Sequence, residues 1–254
     1  MRGPGGGSAS RIDPNVEILR ISPQVRRRAH QQQRRPYVYT EEEIRRLLLA
    51  AQTFPSPKAT LRPCSLYTMV VLAYCAGLRL GEITALTVGD VHLEDDTIVI
   101  RDTKFFKSRR LPLTPSVMTA LKHYLAVRQE SGAPVSPGSG LFWHNERGRR
   151  YSYGGISNLL VQALRRAGLK PARHRIGPRI HDLRHAMVCN RMLTWYRNGV
   201  NPQSHLPYLA TYLGHKDINS TLVYLSVTQE LLQEANQRFR QHAAEALQAG
   251  GGRS

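Results

Sequence analysis

Residues 64–76 (CSLYTMVVLAYCA) form a segment that is apolar on nearly every side of a helix. A helix without a polar face has to be covered by other elements all around, so it is expected at the centre of the core. Gly77 follows directly and is placed to end this helix, because glycine readily adopts the left-handed conformation found beyond helix C-termini. The rest of the chain is therefore expected to be arranged around residues 64–76.

Sequence patterns on both sides of this segment predict further helices and one small sheet. Thr40 and Glu43 form a capping box at the start of an apolar helical stripe. Residues 97–101 and 109–113 have the pattern of two strands joined by a hairpin. Further helices are predicted at 114–129, 155–167, 181–197, 206–213, 220–225 and 228–247. Because no βαβ alternation and no glycine-rich phosphate loop occurs, the predicted fold class is mostly α with a small antiparallel β-sheet (α+β).

The first 36 residues differ in composition from the rest of the chain. They begin with MRGPGGGSAS and carry eight arginines against two acidic residues, with prolines that interrupt any long helix. We therefore expect a basic, flexible arm or linker at 1–36, a folded domain at 37–248 and a flexible tail at 249–254.

The charge balance indicates a polyanionic partner. Lysine and arginine number 36 against 18 aspartate and glutamate residues, giving a formal net charge of +18. Nucleic acid is the leading candidate, and an anionic membrane surface is the weaker one because no basic amphipathic helix with an aromatic insertion face is found. No apolar run of about 18 residues and no secretory signal is present, which argues against a membrane or exported protein. Three cysteines without a CxxC pair are expected to be reduced thiols of a cytoplasmic protein.

An arginine follows the central helix at a position where its backbone should be fixed. Arg79 comes two residues after Gly77, and Glu82 lies one turn further, where its carboxylate can orient the guanidinium. A planar guanidinium held in this way is suited to bidentate phosphate binding. An ordinary surface arginine is the alternative.

The segment HDLRH carries a second cationic group at the start of a predicted helix. His181 and Arg184 share one face of its first turn, where free backbone N–H groups favour anions. His181 and His185 also have the spacing of two metal ligands. However, no nearby carboxylate or cysteine completes a usual set, so neither a metal nor another cofactor is expected.

The segment from 213 to 224, LGHKDINSTLVY, contains a histidine in a turn and a tyrosine nine residues later. Taken alone, Tyr224 among apolar neighbours is typical of a core tyrosine. With a pKa near ~10, a tyrosine is a weak nucleophile at pH 7 unless its developing charge is stabilised. Fixed arginines could neutralise a phosphodiester, histidines could donate to its oxygens or move the tyrosine proton, and a hairpin lysine could protonate the leaving oxygen.

Five motifs together resemble the tyrosine recombinase (phage integrase) family over about residues 37–248: GLRLGE, TKFFKSRRLPL, HDLRH, LGH and the tyrosine after it. The resemblance implies the catalytic-domain fold of that family and a set of catalytic residues: Arg79, Lys104, His181, Arg184, His215 and the nucleophile Tyr224. Glu82 and His185 are predicted to support them. Members of the family cleave one DNA strand through a 3′-phosphotyrosine and rejoin it to a partner strand, without metal or ATP.

The resemblance also implies a biological setting. We expect a site-specific recombinase that acts in integration or transposition of a bacterial mobile element, located in the cytoplasm at the nucleoid. It would act as a homo-oligomer, a tetramer on two DNA sites, or with partner recombinases. Basic residues of the hairpin and of the loop before His181 are predicted to contact DNA: Arg101, Lys107, Arg109, Arg173, Arg175 and Arg179.

One departure from the family pattern bears on how the domain holds DNA. Family members usually carry an N-terminal core-binding domain, whereas only the arm at 1–36 precedes the predicted catalytic domain here. The core-binding domain is therefore expected to be missing or truncated. Three other functions remain open: DNA relaxation like that of a type IB topoisomerase, a metal-dependent nuclease, and a truncated DNA-binding regulator without activity.

Overall fold

The computed structural model describes residues 37–101, 108–144, 147–173, 176–215, 220–222, 224 and 233. All of them lie in one compact unit, Tyr37–Ser254. Several predictions fall outside the described residues: the arm at 1–36, the hairpin tip with Lys104 and Lys107, the helix at 228–247 apart from Gln233, and the tail at 249–254. Within the described part of the chain, no helix is long and apolar enough to cross a membrane.

Helices dominate the described residues, as predicted. They are α1 (Glu41–Gln52), α2 (Leu61–Cys75), α3 (Leu80–Ala85), α4 (Pro115–Glu130), α5 (Tyr153–Arg166), α6 (Ile180–Arg197) and α7 (Pro202–Leu213). A short 3₁₀ helix spans Val88–Asp90. The strands are β1 (Val91–His92), β2 (Thr97–Ile100), β3 (Arg109–Pro112), β4 (Trp143–His144) and β5 (Arg149–Arg150).

Helix α2 occupies the central position that its composition predicts. Its side chains on several faces are buried, and it packs against α1, α4 and α6. The predicted range was wrong at its N-terminal end, because the helix begins at Leu61 and takes in Pro63. Proline is tolerated in the first turn, since the N–H group that it lacks has no partner there.

Helix α7 also begins earlier than predicted, at Pro202 rather than at residue 206. The side chain of Asn201 accepts a hydrogen bond from the backbone N–H of Gln203, and Pro202 occupies the first helical position. Both features are standard signals of a helix start, and the sequence prediction overlooked them.

The predicted strand pair is present as an antiparallel three-stranded sheet in the order β1-β2-β3. In its register, Ile98 lies opposite Leu111 and Ile100 lies opposite Arg109. Ile98 and Leu111 are buried, so one face of the sheet covers the core. Arg109, the first residue of the edge strand β3, has a side chain that is only 11% exposed.

Two glycine turns bring backbone carbonyls towards the same place. Gly77 after α2 and Gly214 after α7 have φ values of +62° and +64°, a conformation that favours glycine. A Cβ at Gly214 would lie 2.7 Å from Nη1 of Arg109, so the end of the Arg109 side chain would have to shift to admit one. These two turns form the floor of the site described next.

Candidate active site

Arg184, on α6, donates hydrogen bonds to both glycine turns. Its Nη1 donates to the carbonyl oxygen of Gly77 and its Nη2 to that of Leu213, both at 2.6 Å. The side chain is only 2% exposed. Burial and the nearby charge of Arg79 lower the pKa of Arg184 to about 9, while Glu82 opposes this shift. The guanidinium therefore remains mainly charged at neutral pH and is held rigidly.

Arg79 donates hydrogen bonds to the C-terminal end of α7, which Arg184 also contacts. It precedes α3, and its Nη1 donates to Glu82 Oε1 at 3.0 Å and to the Leu213 carbonyl at 3.2 Å. Its Nη2 donates to the Gly214 carbonyl at 3.4 Å. The side chain is 36% exposed, so Arg79 is the arginine of this pair that meets solvent. The predicted contact between Glu82 and Arg79 is present.

Glu82 connects three arginines. Its carboxylate lies 3.0 Å from Arg79, 3.0 Å from Arg109 and 4.0 Å from Arg184, and its side chain is 8% exposed. Burial raises the pKa of Glu82, but the hydrogen bond and charge of Arg109, the backbone N–H of Arg79 and the charge of Arg184 outweigh it, so that the pKa is lowered. One carboxylate against three guanidiniums leaves a net positive site suited to an anion.

Arg109 contacts Glu82 and the end of α7. Its Nη2 donates to Glu82 and its Nε to the Tyr212 carbonyl at 3.0 Å, with the side chain 11% exposed. Its Nη1 is buried and has no hydrogen-bond partner among the described residues. Two of its donor groups are thus directed to the end of α7 and to Glu82, so Arg109 supports Glu82. A contact between Arg109 and DNA stays a prediction.

The tyrosine at the predicted nucleophile position contacts a histidine. Nδ1 of His185 lies 2.6 Å from the hydroxyl oxygen of Tyr224. The rings of His181 and His185 meet edge to face at 4.7 Å. Desolvation by the surrounding protein, followed by the charge of Arg184, lowers the pKa of His181. Burial, together with the charges of His181 and Arg184, lowers the pKa of His185 to about 3. Burial raises the pKa of Tyr224 to about 12, although Arg184 opposes this.

His215 is held by a residue that the sequence prediction missed. Its Nδ1 lies 2.7 Å from Oγ1 of Thr221, and Thr221 is fully buried. Thr221 precedes Tyr224 by three residues, and both are helical. Residues at this spacing share one helix face, so a polar residue three before the tyrosine was the signal available in the sequence. The contact ties His215 to the helical turn that carries Tyr224.

Replacing Thr221 with valine is expected to lower the free energy of unfolding by about 1 kcal/mol. Valine has nearly the same shape, so the change removes the hydroxyl and its hydrogen bond to His215, which is worth about 1 kcal/mol. A urea denaturation curve measures the effect. Thr221→Ser, which keeps a hydroxyl, is the control. Equal stability of wild type and the valine variant would show that this bond does not stabilise the fold.

The structure places the remaining predicted residues less tightly. Arg101 pairs with the buried Asp90, and Arg173 is exposed in the loop before α6. Arg179 directly precedes α6, and its backbone N–H donates to Asp182 at 2.8 Å. Lys104, Lys107 and Arg175 lie outside the described residues. The described cluster therefore contains Arg79, Glu82, His181, Arg184, His185, His215 and Tyr224.

Comparison with known proteins gives matches over most of the chain. The model of the phage integrase family matches residues 38–230. The protein y4rB of Sinorhizobium fredii (strain NBRC 101917 / NGR234), provisionally named an integrase/recombinase, is 38% identical over 207 residues. That alignment covers 81% of this chain and 66% of y4rB, so the chain spans slightly less than two thirds of this relative.

Solved structures share the fold. The crystal structure of XerA recombinase superposes with a TM-score of 0.61 at 24% identity, covering 82% of this chain and 66% of XerA. The crystal structure of XerH site-specific recombinase bound to palindromic difH substrate gives a TM-score of 0.60 at 20% identity, covering 81% and 54% of the two chains. The predicted fold, mostly α with a small antiparallel sheet and similar to recombinase catalytic domains, is confirmed.

Proposed function

This chain belongs to the phage integrase family, and we propose that it cleaves and rejoins DNA at specific sites through a 3′-phosphotyrosine bond to Tyr224. The observation that carries the proposal is the convergence of Arg79 and Arg184 on the C-terminal end of α7. Both donate to the Leu213 carbonyl, two residues before His215. His215 is in turn bonded to the helical turn of Tyr224 through Thr221.

The cationic groups in this cluster suit a phosphodiester. Arg79 is partly exposed, so its N–H groups would donate to a non-bridging oxygen of the phosphate. The buried Arg184 would contribute positive charge beside it. His181 lies at the start of α6, where backbone N–H groups favour an anion. Fixed positive charges aimed at a site where negative charge develops stabilise a transition state without reorganising. This set would neutralise the phosphate without a divalent metal.

The reaction that fits this cluster transfers a phosphate from one oxygen to another. The Tyr224 oxygen attacks the phosphorus, and the bond to the 5′-oxygen breaks. The phosphotyrosine keeps the energy of the phosphodiester bond, so rejoining to a partner strand needs no ATP. Lys104, assigned from its hairpin position in the sequence, would protonate the leaving 5′-oxygen.

Double-stranded DNA is the proposed partner. The net charge of +18 favours a polyanion, and XerH, whose fold is similar, is bound to its difH substrate. Further DNA contacts are proposed for Arg101, Lys107, Arg109, Arg173, Arg175 and Arg179. A tetramer on two DNA sites, with this chain alone or with partner recombinases, and a location at the bacterial nucleoid belong to the same proposal.

Covalent capture tests the proposed function directly. The protein is mixed with random-sequence duplexes that carry a nick, so that a cleaved end diffuses away and any adduct accumulates. We expect adducts that survive a denaturing wash and form equally well in EDTA, with a common sequence in the recovered DNA. Cleavage that EDTA abolishes would instead indicate a metal-dependent nuclease. Specific binding without any adduct would indicate a DNA-binding regulator.

A second measurement distinguishes a recombinase from a topoisomerase. Both form a phosphotyrosine, but a recombinase exchanges strands between two copies of its site. We expect exchange products when two labelled copies of the recovered sequence are combined. Relaxation of supercoiled DNA without any exchanged product would favour the topoisomerase.

A further inference from the structure

We propose that His185 accepts the proton of Tyr224 as the tyrosine oxygen attacks the phosphate. The inference rests on the proposed function and adds a catalytic residue to it. Its basis is the hydrogen bond of 2.6 Å between Nδ1 of His185 and the hydroxyl oxygen of Tyr224. The two rings also pack together, with centroids 5.4 Å apart.

The position of His185 is fixed by its surroundings. It lies in α6 directly after Arg184, whose guanidinium is bonded to both glycine turns. The ring of His181, one helical turn earlier, meets it edge to face. Tyr224 belongs to an apolar cluster that includes Val188, in the same helix as His185. Both partners of the hydrogen bond are therefore held by packing.

At neutral pH the His185 ring can accept a proton, but its low pKa makes it a weak base until the phosphate gains negative charge beside it. Burial and neighbouring positive charges lower the pKa of His185 to about 3, so the ring is neutral at pH 7. In the tautomer with hydrogen on Nε2, Nδ1 carries a lone pair that accepts the tyrosine hydrogen. The titratable groups that act electrostatically on His185 are His181, Arg184, Arg179 and His215.

Tyr224 needs such an acceptor. Burial raises the pKa of its hydroxyl to about 12. At pH 7 only about one molecule in 10⁵ would carry a tyrosinate, which follows from the difference between pH and pKa. Transfer of the proton during attack avoids this rare state. The imidazolium that forms is stabilised by the negative charge that develops on the phosphate.

The step is balanced in atoms and charge. The bond between the Tyr224 oxygen and phosphorus forms, and the hydroxyl proton moves to Nδ1 of His185. The bond from phosphorus to the 5′-oxygen breaks, and that oxygen takes a proton from Lys104. In rejoining, a 5′-hydroxyl attacks the phosphotyrosine and gives its proton to the neutral Lys104, while His185 returns its proton to the tyrosine oxygen.

The decisive variant is His185→Asn. The asparagine amide oxygen can occupy roughly the place of Nδ1 and accept the hydrogen bond, but it cannot take the proton. Because general base catalysis contributes about a hundredfold or more, single-turnover cleavage should fall by at least that factor. His123→Asn, on the exposed surface of α4, should cleave at the wild-type rate. Thermal melting checks that both variants are folded.

Two further measurements separate proton transfer from simple positioning. A substrate with sulfur in place of the bridging 5′-oxygen has a leaving group that needs no proton. It should restore cleavage to Lys104→Ala but not to His185→Asn. Without its proton acceptor, the variant depends on free tyrosinate, so its rate should rise about tenfold per pH unit between pH 7 and 9. The wild-type rate should rise much less.

Three outcomes would overturn the inference: wild-type cleavage by His185→Asn, its rescue by the sulfur substrate, or a pH profile parallel to wild type. A failure of the proposed function is distinguishable from these results. If Tyr224→Phe still formed covalent adducts, the nucleophile assignment itself would be wrong. If Tyr224→Phe formed none while His185→Asn cleaved normally, only the role of His185 would fall.

Discussion

Replacing Tyr224 with phenylalanine is expected to abolish covalent attachment to DNA while leaving the fold and DNA binding intact. Phenylalanine keeps the ring, which packs with Leu206, Leu209 and Leu213 in a buried cluster. The change removes only the hydroxyl and its bond to His185, which costs about 1 kcal/mol of stability. Without the nucleophile, adduct formation should fall by at least about a thousandfold. Denaturing gel electrophoresis of labelled DNA measures it.

Tyr208→Phe is the matched control, because it makes the same chemical change at an exposed position of α7. Its side chain is largely in solvent, with 74% of the residue exposed. Adduct formation in this variant should equal that of wild type. Adducts that persist in Tyr224→Phe would show that another residue attacks the phosphate.

Replacing Glu82 with glutamine is expected to lower the free energy of unfolding by about 3–5 kcal/mol, because removing one partner of a buried ion pair leaves charge uncompensated. Here the loss affects Arg79, Arg109 and Arg184 together, since all three lie within 4.0 Å of this carboxylate. Cleavage should fall as well, because Arg79 and Arg184 lose the group that orients them. Denaturation in urea and single-turnover cleavage measure the two effects.

The effect of Glu82 on stability should depend on pH in a defined direction. Its pKa in the folded protein is lowered from the ordinary value of 4.5. A carboxylate with a lowered pKa contributes fully above its unfolded value, and the contribution is lost as pH falls through the folded value. The stability difference between wild type and Glu82→Gln should therefore be constant near pH 7 and shrink below pH 4.5.

Glu94→Gln provides the comparison for this experiment, since the Glu94 side chain is 73% exposed beside His92. Exposed ion pairs contribute little to stability, typically below about 1 kcal/mol, so this variant should unfold like wild type. A Glu82→Gln protein as stable as wild type at neutral pH would contradict the central role assigned to this carboxylate.

Local patterns were sufficient to predict much of the fold. The apolar run in α2 identified the centre of the core, and Gly77 marked its end, because both follow from the chemistry of a few consecutive residues. The strand pair β2-β3 followed from alternation and a hairpin. Arg79 and Glu82 were predicted to meet because they are one helical turn apart, and the structure shows this contact.

Contacts between distant segments were not accessible in this way. The role of Arg109 depends on its approach to Tyr212, 103 residues away. The bond from His185 to Tyr224 spans 39 residues, and the local sequence around Tyr224 is typical of an ordinary core tyrosine. Resemblance to a family identified these residues as a set. Only the packing of α6 against the turn after α7 shows which of them touch.

Mass spectrometry of the protease-digested adduct tests the central claim most directly. The account predicts one modified peptide, with a nucleotide joined to Tyr224 through its 3′-phosphate, from adducts formed in EDTA. A nucleotide on any other residue, or attachment through a 5′-phosphate, would contradict it.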